Sequence, residues 1–235
     1  MAGQFERKVG AIIQVRMGSS RLPGKVLKTL PENGHISLLD HILNRIPAEY
    51  EAIIATTESE VDDPLLERFP SAFRGSENDV LERFYLCSKV NKLTTIIRLT
   101  GDNPFIDPSK MIEVVNFHLE NNFDYTRSEG LPLGCNFEVF NFDCLEKAQL
   151  ETNSLFDREH VTPYLKDSTK FNTGQYIYEN YPDLRLTLDY PSDYEMINKI
   201  FIELGENATF EHVVDYLRNH PEVARLNAQN RQMNS

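Results

Sequence analysis

Three short apolar runs rich in β-branched residues, "VGAIIQV" (9–15), "EAIIATT" (51–57) and "TTIIRLT" (94–100), constrain this chain more than any other feature. Each is too short for an ordinary helix and lacks the polar alternation of a half-exposed strand, so each is predicted to be a strand buried on both faces. Between and after them, "SLLDHILNRI", "SENDVLERFYLCSKVNK" and "PSKMIEVVNFHLENN" carry apolar residues at helical spacing, and "SAFRG" is a further short strand. Strands alternating with helices imply an α/β fold with a mostly parallel sheet and helices on both faces.

Beyond Asp124 the order loosens. "NFEVFNF" alternates with period two and reads as an edge or arm strand, "SLFDREHVTPYL" as a helix, "LRLTLDY" as a returning strand, and "PSDYEMINKIFIEL" and the stretch 210–219 as closing helices. No repeat or Pro/Gly/Ser linker divides the 235 residues, so we expect one domain over 1–225. Residues 125–180 read as a small insertion arm, and 226–235 as a polar, mobile tail.

Ligands of parallel sheets sit outside the carboxyl ends of the strands, and the loop after the first run, "VRMGSSRLPGK", lies there. No Asp or Glu occurs between Arg7 and Pro31, whereas Arg7, Lys8, Arg16, Arg21, Lys25 and Lys28 all do. In a chain of net charge -12, one basic loop points to a small anionic ligand and away from nucleic acid or an anionic membrane surface. Val15, Arg16, Met17, Gly18, Ser19, Ser20, Arg21 and Lys25 are the candidate phosphate-binding residues: Gly18 for close backbone approach, the serines for hydroxyl donors, and Arg16, Arg21 and Lys25 for charge at a five-coordinate phosphorus. A nucleotide-hydrolase phosphate loop does not fit, because five residues separate Gly18 from Gly24 and Val26 replaces the metal-binding hydroxyl.

Two acidic residues complete the constellation. Asp102 follows the third run in "RLTGDNPFIDP", and Asp189 follows "LRLTL"; two carboxylates at neighbouring strand ends are what Mg²⁺ takes alongside water and substrate phosphates. Asp107, before Pro108, is explained as a helix N-cap, and Ser76 with Asp79 as a capping box. Arg74 and Gly75, at the end of "SAFRG", are placed to border a nucleotide base. Three scattered cysteines, the absence of an apolar core in "MAGQFERK", and the absence of a run near the roughly 20 residues of a membrane span fit a cytoplasmic protein.

In these segments, joined by "ATTESEVDDPL", "NFEVFNFDCLEKA" and "REHVTPY", the chain resembles the cytidylyltransferases that make CMP-activated sugars, especially the branch of the spore-coat polysaccharide biosynthesis protein F. The opening loop is also similar to that of the 3-deoxy-manno-octulosonate and acylneuraminate cytidylyltransferases. The resemblance implies a nucleotide-diphosphosugar transferase fold, CTP in the cleft, a sugar acceptor, Mg²⁺ on Asp102 and Asp189, and a homodimer formed through the central insertion. Asn103, Glu138, Arg158 and His160 fall in the matching segments and are the candidates for the acceptor side. Asn103 stands where the octulosonate enzymes usually carry an acidic residue, which argues against carrying their sugar over. A related transfer using another nucleotide or a phosphorylated acceptor, and a nucleotide-binding protein without turnover, are the competing readings.

Overall fold

The computed structural model describes residues 7–230. The first strand, β1 (Val9–Gln14), is flanked on one side by β2 (Glu51–Thr57) and β3 (Phe73–Gly75) and on the other by β4 (Thr95–Thr100), all parallel. The sheet continues through β6 (Glu138–Asn141), antiparallel to β4, then β5 (Tyr125–Glu129) and β7 (Thr173–Ile177), giving the order β3-β2-β1-β4-β6-β5-β7. The chain leaves β1 toward β2 on one side and returns on the other as β4, so the β1/β4 boundary is the topological switch point where a crevice opens.

Burial explains why the apolar runs do not alternate. In β1, Ala11 and Ile13 enter one core while Ile12 enters the other, and in β4 Ile97 and Leu99 oppose Ile96 in the same way. The first core is closed by α1 (Leu38–Asn44), α4 (Pro108–Glu120), α7 (Pro191–Leu204) and α8 (Phe210–Asn219), the second by α3 (Val80–Val90) and α5 (Phe142–Glu151). Each fully buried Ile or Leu in these layers contributes about 1.5–3 kcal/mol. Shorter helices α2 (Asp63–Arg68), α6 (Leu155–His160) and α9 (Pro221–Ala224) cover the edges.

Three expectations are corrected. The alternating "NFEVFNF" is neither an edge nor an arm: β6 lies inside the sheet, because Val139 and Phe140 bury in opposite cores. Residues 125–180 thus supply three strands of the sheet. "LRLTLDY" is extended but no sheet strand: its β-type pairing is limited to an isolated bridge between Arg185 and Leu133. The helix after β3 starts at Val80 with Asp79 as its cap, accepting from the Glu82 amide at 2.9 Å, while Ser76 Oγ accepts from the Asp79 amide at 3.0 Å. Asp107 caps α4 ahead of Pro108 as expected.

Candidate active site

The basic loop is held at both ends. Asp62, 1 % exposed, accepts from the Met17 amide (2.6 Å), from both Thr57 donors and from Thr56 Oγ1. Burial pushes its carboxyl up, but these four bonds outweigh burial and hold it below the usual range. The loop turns back on itself through Ser19 and Gly24, whose amides both donate to the Met17 carbonyl. Gly24 has φ +66°, a conformation that a β-carbon disfavours. A β-carbon at Gly18 would meet nothing within 4 Å, so a larger side chain would fit there without a clash.

The turn at Gly24 delivers Lys25 into the crevice. Its ammonium donates to Asp102 Oδ2 (2.9 Å), Asp189 Oδ1 (2.9 Å) and the Leu188 carbonyl (2.8 Å). Two carboxylates from distant parts of the chain therefore meet on one cation. Arg21 donates to Asp189 Oδ1 (3.0 Å) and to the Tyr190 hydroxyl (3.2 Å), its guanidinium 4.7 Å over the Tyr190 ring. Asp102 is oriented by Thr100, whose hydroxyl donates to Oδ1 at 2.6 Å, and its carbonyl accepts from the Leu188 amide at 2.8 Å, pinning the 184–189 segment beside β4. Burial pushes the Asp189 carboxyl up, but Lys25, Arg21 and Arg185 together hold it below the ordinary value.

Behind Asp189 stands an arrangement not evident from the sequence. Asp193, wholly buried, grips Arg185 at Nε and Nη2 (2.9 and 3.1 Å), and Arg185 Nη2 reaches Asp189 Oδ2 at 3.0 Å. Asp193 in turn accepts from Asn227 (2.9 Å) and Asn230 (2.8 Å). The expected mobile tail is corrected here: residues 226–230 are docked, with Asn227 2 % exposed, and 231–235 lie outside the described residues. Replacing both Asn227 and Asn230 by Ala should lower turnover several-fold at unchanged KM for the nucleotide, with a stability loss of about 2 kcal/mol. Steady-state kinetics beside a thermal melt check this.

A cleft of about 850 Å³ opens over this cluster. Val15, Arg16, Ser19, Ser20, Arg21, Lys25, Asp102, Asn103, His160 and Asp189 line it, as the sequence suggested. Met17, Gly18, Arg74, Gly75, Glu138 and Arg158 do not. Arg74 is occupied by Asp63 and the carbonyls of Thr57 and Ser59. Arg158 is held by Asp79, Gln149 and the Thr152 carbonyl, fastening α6 to the cap of α3.

Glu138 bonds Arg98, Tyr125, Thr162 and Lys166, which lower its carboxyl from 4.5 to about 2 despite the opposing effect of burial. A depressed folded-state value stabilises above the unfolded pKa and is lost as pH falls through the folded one. Glu138→Gln should therefore cost about 3 kcal/mol at neutral pH and flatten the loss of stability between pH 4.5 and about 2. Denaturant melts across pH measure it.

Sequence reasoning missed Gln14, Asn78, Arg83, Arg98, Asn136 and Thr187 on the cleft wall. Among the described residues Gln14 Oε1, Arg83 Nε, Arg98 Nε and Asn103 Oδ1 are buried without a partner, which leaves these cleft-lining groups able to bond a ligand.

The model of a family described as "Cytidylyltransferase" matches residues 10–223. The chain is 36% identical over 229 residues to the spore coat polysaccharide biosynthesis protein SpsF of Bacillus subtilis, covering 91% of this chain and 95% of that one. Among solved structures, a cytidylyltransferase from Leptospira borgpetersenii superposes with a TM-score of 0.87 at 29% identity, over 98% of this chain and 100% of that one. A CMP:2-keto-3-deoxy-manno-octonic acid synthetase complexed with CTP shares the fold, with a TM-score of 0.61 at 15% identity over 83% of this chain and 99% of that one. With a basic loop and two carboxylates meeting at the switch point of such a sheet, the chain belongs to the cytidylyltransferase family and is a CTP-dependent nucleotidyltransferase.

Proposed function

We propose that this enzyme transfers CMP from CTP to the hydroxyl of an acidic sugar in the biosynthesis of a surface polysaccharide or glycoconjugate, releasing pyrophosphate. The observation that carries the reading is the junction of Lys25 with Asp102 and Asp189 beneath the basic loop. The triphosphate lies along residues 16–25. An acceptor oxygen attacks the α-phosphorus in line, the bond to the pyrophosphate oxygen breaks, and Arg21 and Lys25 offset the charge gathering on the leaving group. Arg16, exposed at the mouth, meets the incoming phosphates. On the β4 side, Arg98 Nε, a donor, and Asn103 Oδ1, an acceptor, have no partner among the described residues, which supports a polar acceptor there.

The residues present suit Mg²⁺. Among the described residues no cluster of three or more His, Cys, Asp or Glu forms a self-sufficient metal cage, but Asp102 and Asp189 are hard oxygen donors that share a position a cation already occupies, Lys25 Nζ. Mg²⁺ is content with two carboxylates when phosphate and water complete its shell. Bound there, it would neutralise triphosphate charge and activate the α-phosphate toward attack.

The enzyme is further proposed to be a cytoplasmic homodimer. Four large apolar side chains, Leu150, Leu155, Phe156 and Ile177, are more than half exposed within the 125–180 segment, a concentration that supports a second copy seated there. The solution mass from light scattering should be twice the chain mass. Among the described residues no helix is long and apolar enough to cross a membrane, and the thiols of Cys87, Cys135 and Cys144 are buried and free.

The deciding experiment is pyrophosphate release with each of the four nucleoside triphosphates, Mg²⁺ and a panel of acidic sugars and small phosphorylated acceptors, with mass detection of the CMP conjugate. Turnover of phosphorylated acceptors alone would sink the acidic-sugar reading.

A further inference from the structure

We propose that Lys25 guards the metal site: before a nucleotide binds, its ammonium fills the place between Asp102 and Asp189, and a divalent ion enters only once phosphates have drawn that ammonium away. This rests on the proposed reading of Asp102 and Asp189 as metal donors and of residues 16–25 as the triphosphate loop.

An ammonium carries three N–H donors and no acceptor, and Lys25 uses all three at this junction, on Asp102 Oδ2 (2.9 Å), Asp189 Oδ1 (2.9 Å) and the Leu188 carbonyl (2.8 Å). Three oxygens, two of them anionic, thus surround one point at nearly equal distances, the kind of donor set a hard cation selects. The other carboxylate oxygens are engaged elsewhere: Asp102 Oδ1 accepts from the Thr100 hydroxyl and Asp189 Oδ2 from Arg185. A divalent ion shared by the two acids therefore competes for the oxygens that Lys25 holds, and two like charges in contact repel strongly in a half-buried place. Occupancy by the lysine and occupancy by the metal exclude each other.

The surrounding contacts let the ammonium leave while the acids stay. Thr100 holds Asp102, and Arg185, itself gripped by Asp193, holds Asp189, so each carboxylate keeps an anchor of its own when Lys25 lets go. The Lys25 backbone is tied into its turn by the Leu22 carbonyl and the Lys28 amide (3.2 and 3.1 Å), which leaves the flexible side-chain stem as the part that moves. The destination lies in the same cleft: Arg16, Ser19, Ser20 and Arg21 line it beside Lys25, and a triphosphate held by them offers the ammonium charged oxygens in exchange for the carboxylates. As the ammonium goes over, Asp102 and Asp189 lose their shared cation, and affinity for a divalent ion arises once the nucleotide is in place. Lys25, Asp102 and Asp189 all line the cleft, so the exchange needs no passage through the core.

The test is Mn²⁺ binding, followed by the electron paramagnetic resonance signal of the free ion, to the wild type, Lys25→Met and Lys25→Met combined with Asp189→Asn, each alone, and to the wild type with α,β-methylene-CTP, whose bridge resists pyrophosphate release. Alone, Lys25→Met should bind Mn²⁺ roughly 10- to 100-fold more tightly than the wild type, because the competing ammonium is gone. Adding Asp189→Asn should abolish most of that gain. Mn²⁺ should raise the Tm of Lys25→Met and leave that of the wild type unchanged. With the analogue, the wild type should hold Mn²⁺ beyond what the analogue binds by itself. The inference falls if Lys25→Met alone binds Mn²⁺ no better than the wild type, or if the wild type alone binds it as tightly as in the presence of the analogue, a result that needs no variant to fold. A wild type that adds nothing to the Mn²⁺ affinity of the analogue, or a gain in Lys25→Met that survives Asp189→Asn, would instead sink the metal role of the two acids.

Discussion

Asp102→Asn should lower turnover by about 10²-fold or more while leaving the fold intact, because removing a group that manages transition-state charge typically costs that much. The amide keeps the shape of the carboxylate and can still accept from Thr100, so the turn after β4 survives. What it loses is the negative charge that shares Lys25 with Asp189 and that a divalent ion would need. The side chain is partly open to water, which keeps the stability cost near 1 kcal/mol. Single-turnover pyrophosphate release and a thermal melt separate the two effects. A variant turning over at the wild-type rate would remove Asp102 from the reacting centre.

Lys25→Met should have the next largest effect, because it strikes turnover and folding together. Lys25 is 8 % exposed, and its ammonium bonds two carboxylates and a carbonyl. Without it, Asp102 and Asp189 face each other with Arg21 and Arg185, both on Asp189, left to compensate among the described residues. We expect a loss of about 10²–10³-fold in kcat and about 1–3 kcal/mol in stability. Mutating Asp189 to Asn in the same background should recover part of the stability by removing the repulsion, and none of the activity. A denaturant series on single and double variants measures this. Equal stability of Lys25→Met and wild type would mean that the ammonium does not hold the two acids together.

Much of the α/β layering was legible because double-sided burial leaves an unmistakable trace: Ile12 and Ile13 must both be apolar when each face of β1 meets a core. The middle of the chain was harder to read. The short β6 looks like an edge strand from its alternation, since Glu138 and Asn141 interrupt the apolar pattern; only the fold shows these polar side chains satisfied inside, Glu138 by four partners. Likewise the 184–189 segment has the composition of a strand, but its neighbours are the 131–134 loop and Asp102, so the ladder never forms.

The site divides in the same way. Arg21, Lys25, Asp102 and Asp189 were readable because loop chemistry after a parallel strand, and carboxylates with no capping duty, are local signals. Arg74 was drawn toward the site by its place at a strand end, and Glu138 and Arg158 by their place in matching segments; the structure employs all three in holding loops and helices together. Arg83 and Asn227 were missed because a charged residue on an amphipathic helix and an asparagine in a polar tail look solvated until their burial is known.

The sequence by itself determined which runs become buried strands, which turn is basic, and which two acids at strand ends have no capping duty, since these follow from side-chain chemistry and spacing along a few residues. Only the tertiary structure decided that those acids share one lysine, that Asn227 and Asn230 brace one of them through Asp193 and Arg185, and that the buried Arg83 keeps its Nε unpaired among the described residues. The physical reason is range: backbone preference and hydrophobic period act over one or two turns, whereas pairing a charge or leaving it unpaired depends on segments far apart in the chain, 77 residues for Lys25 and Asp102 and 164 for Lys25 and Asp189, meeting in one low-dielectric place.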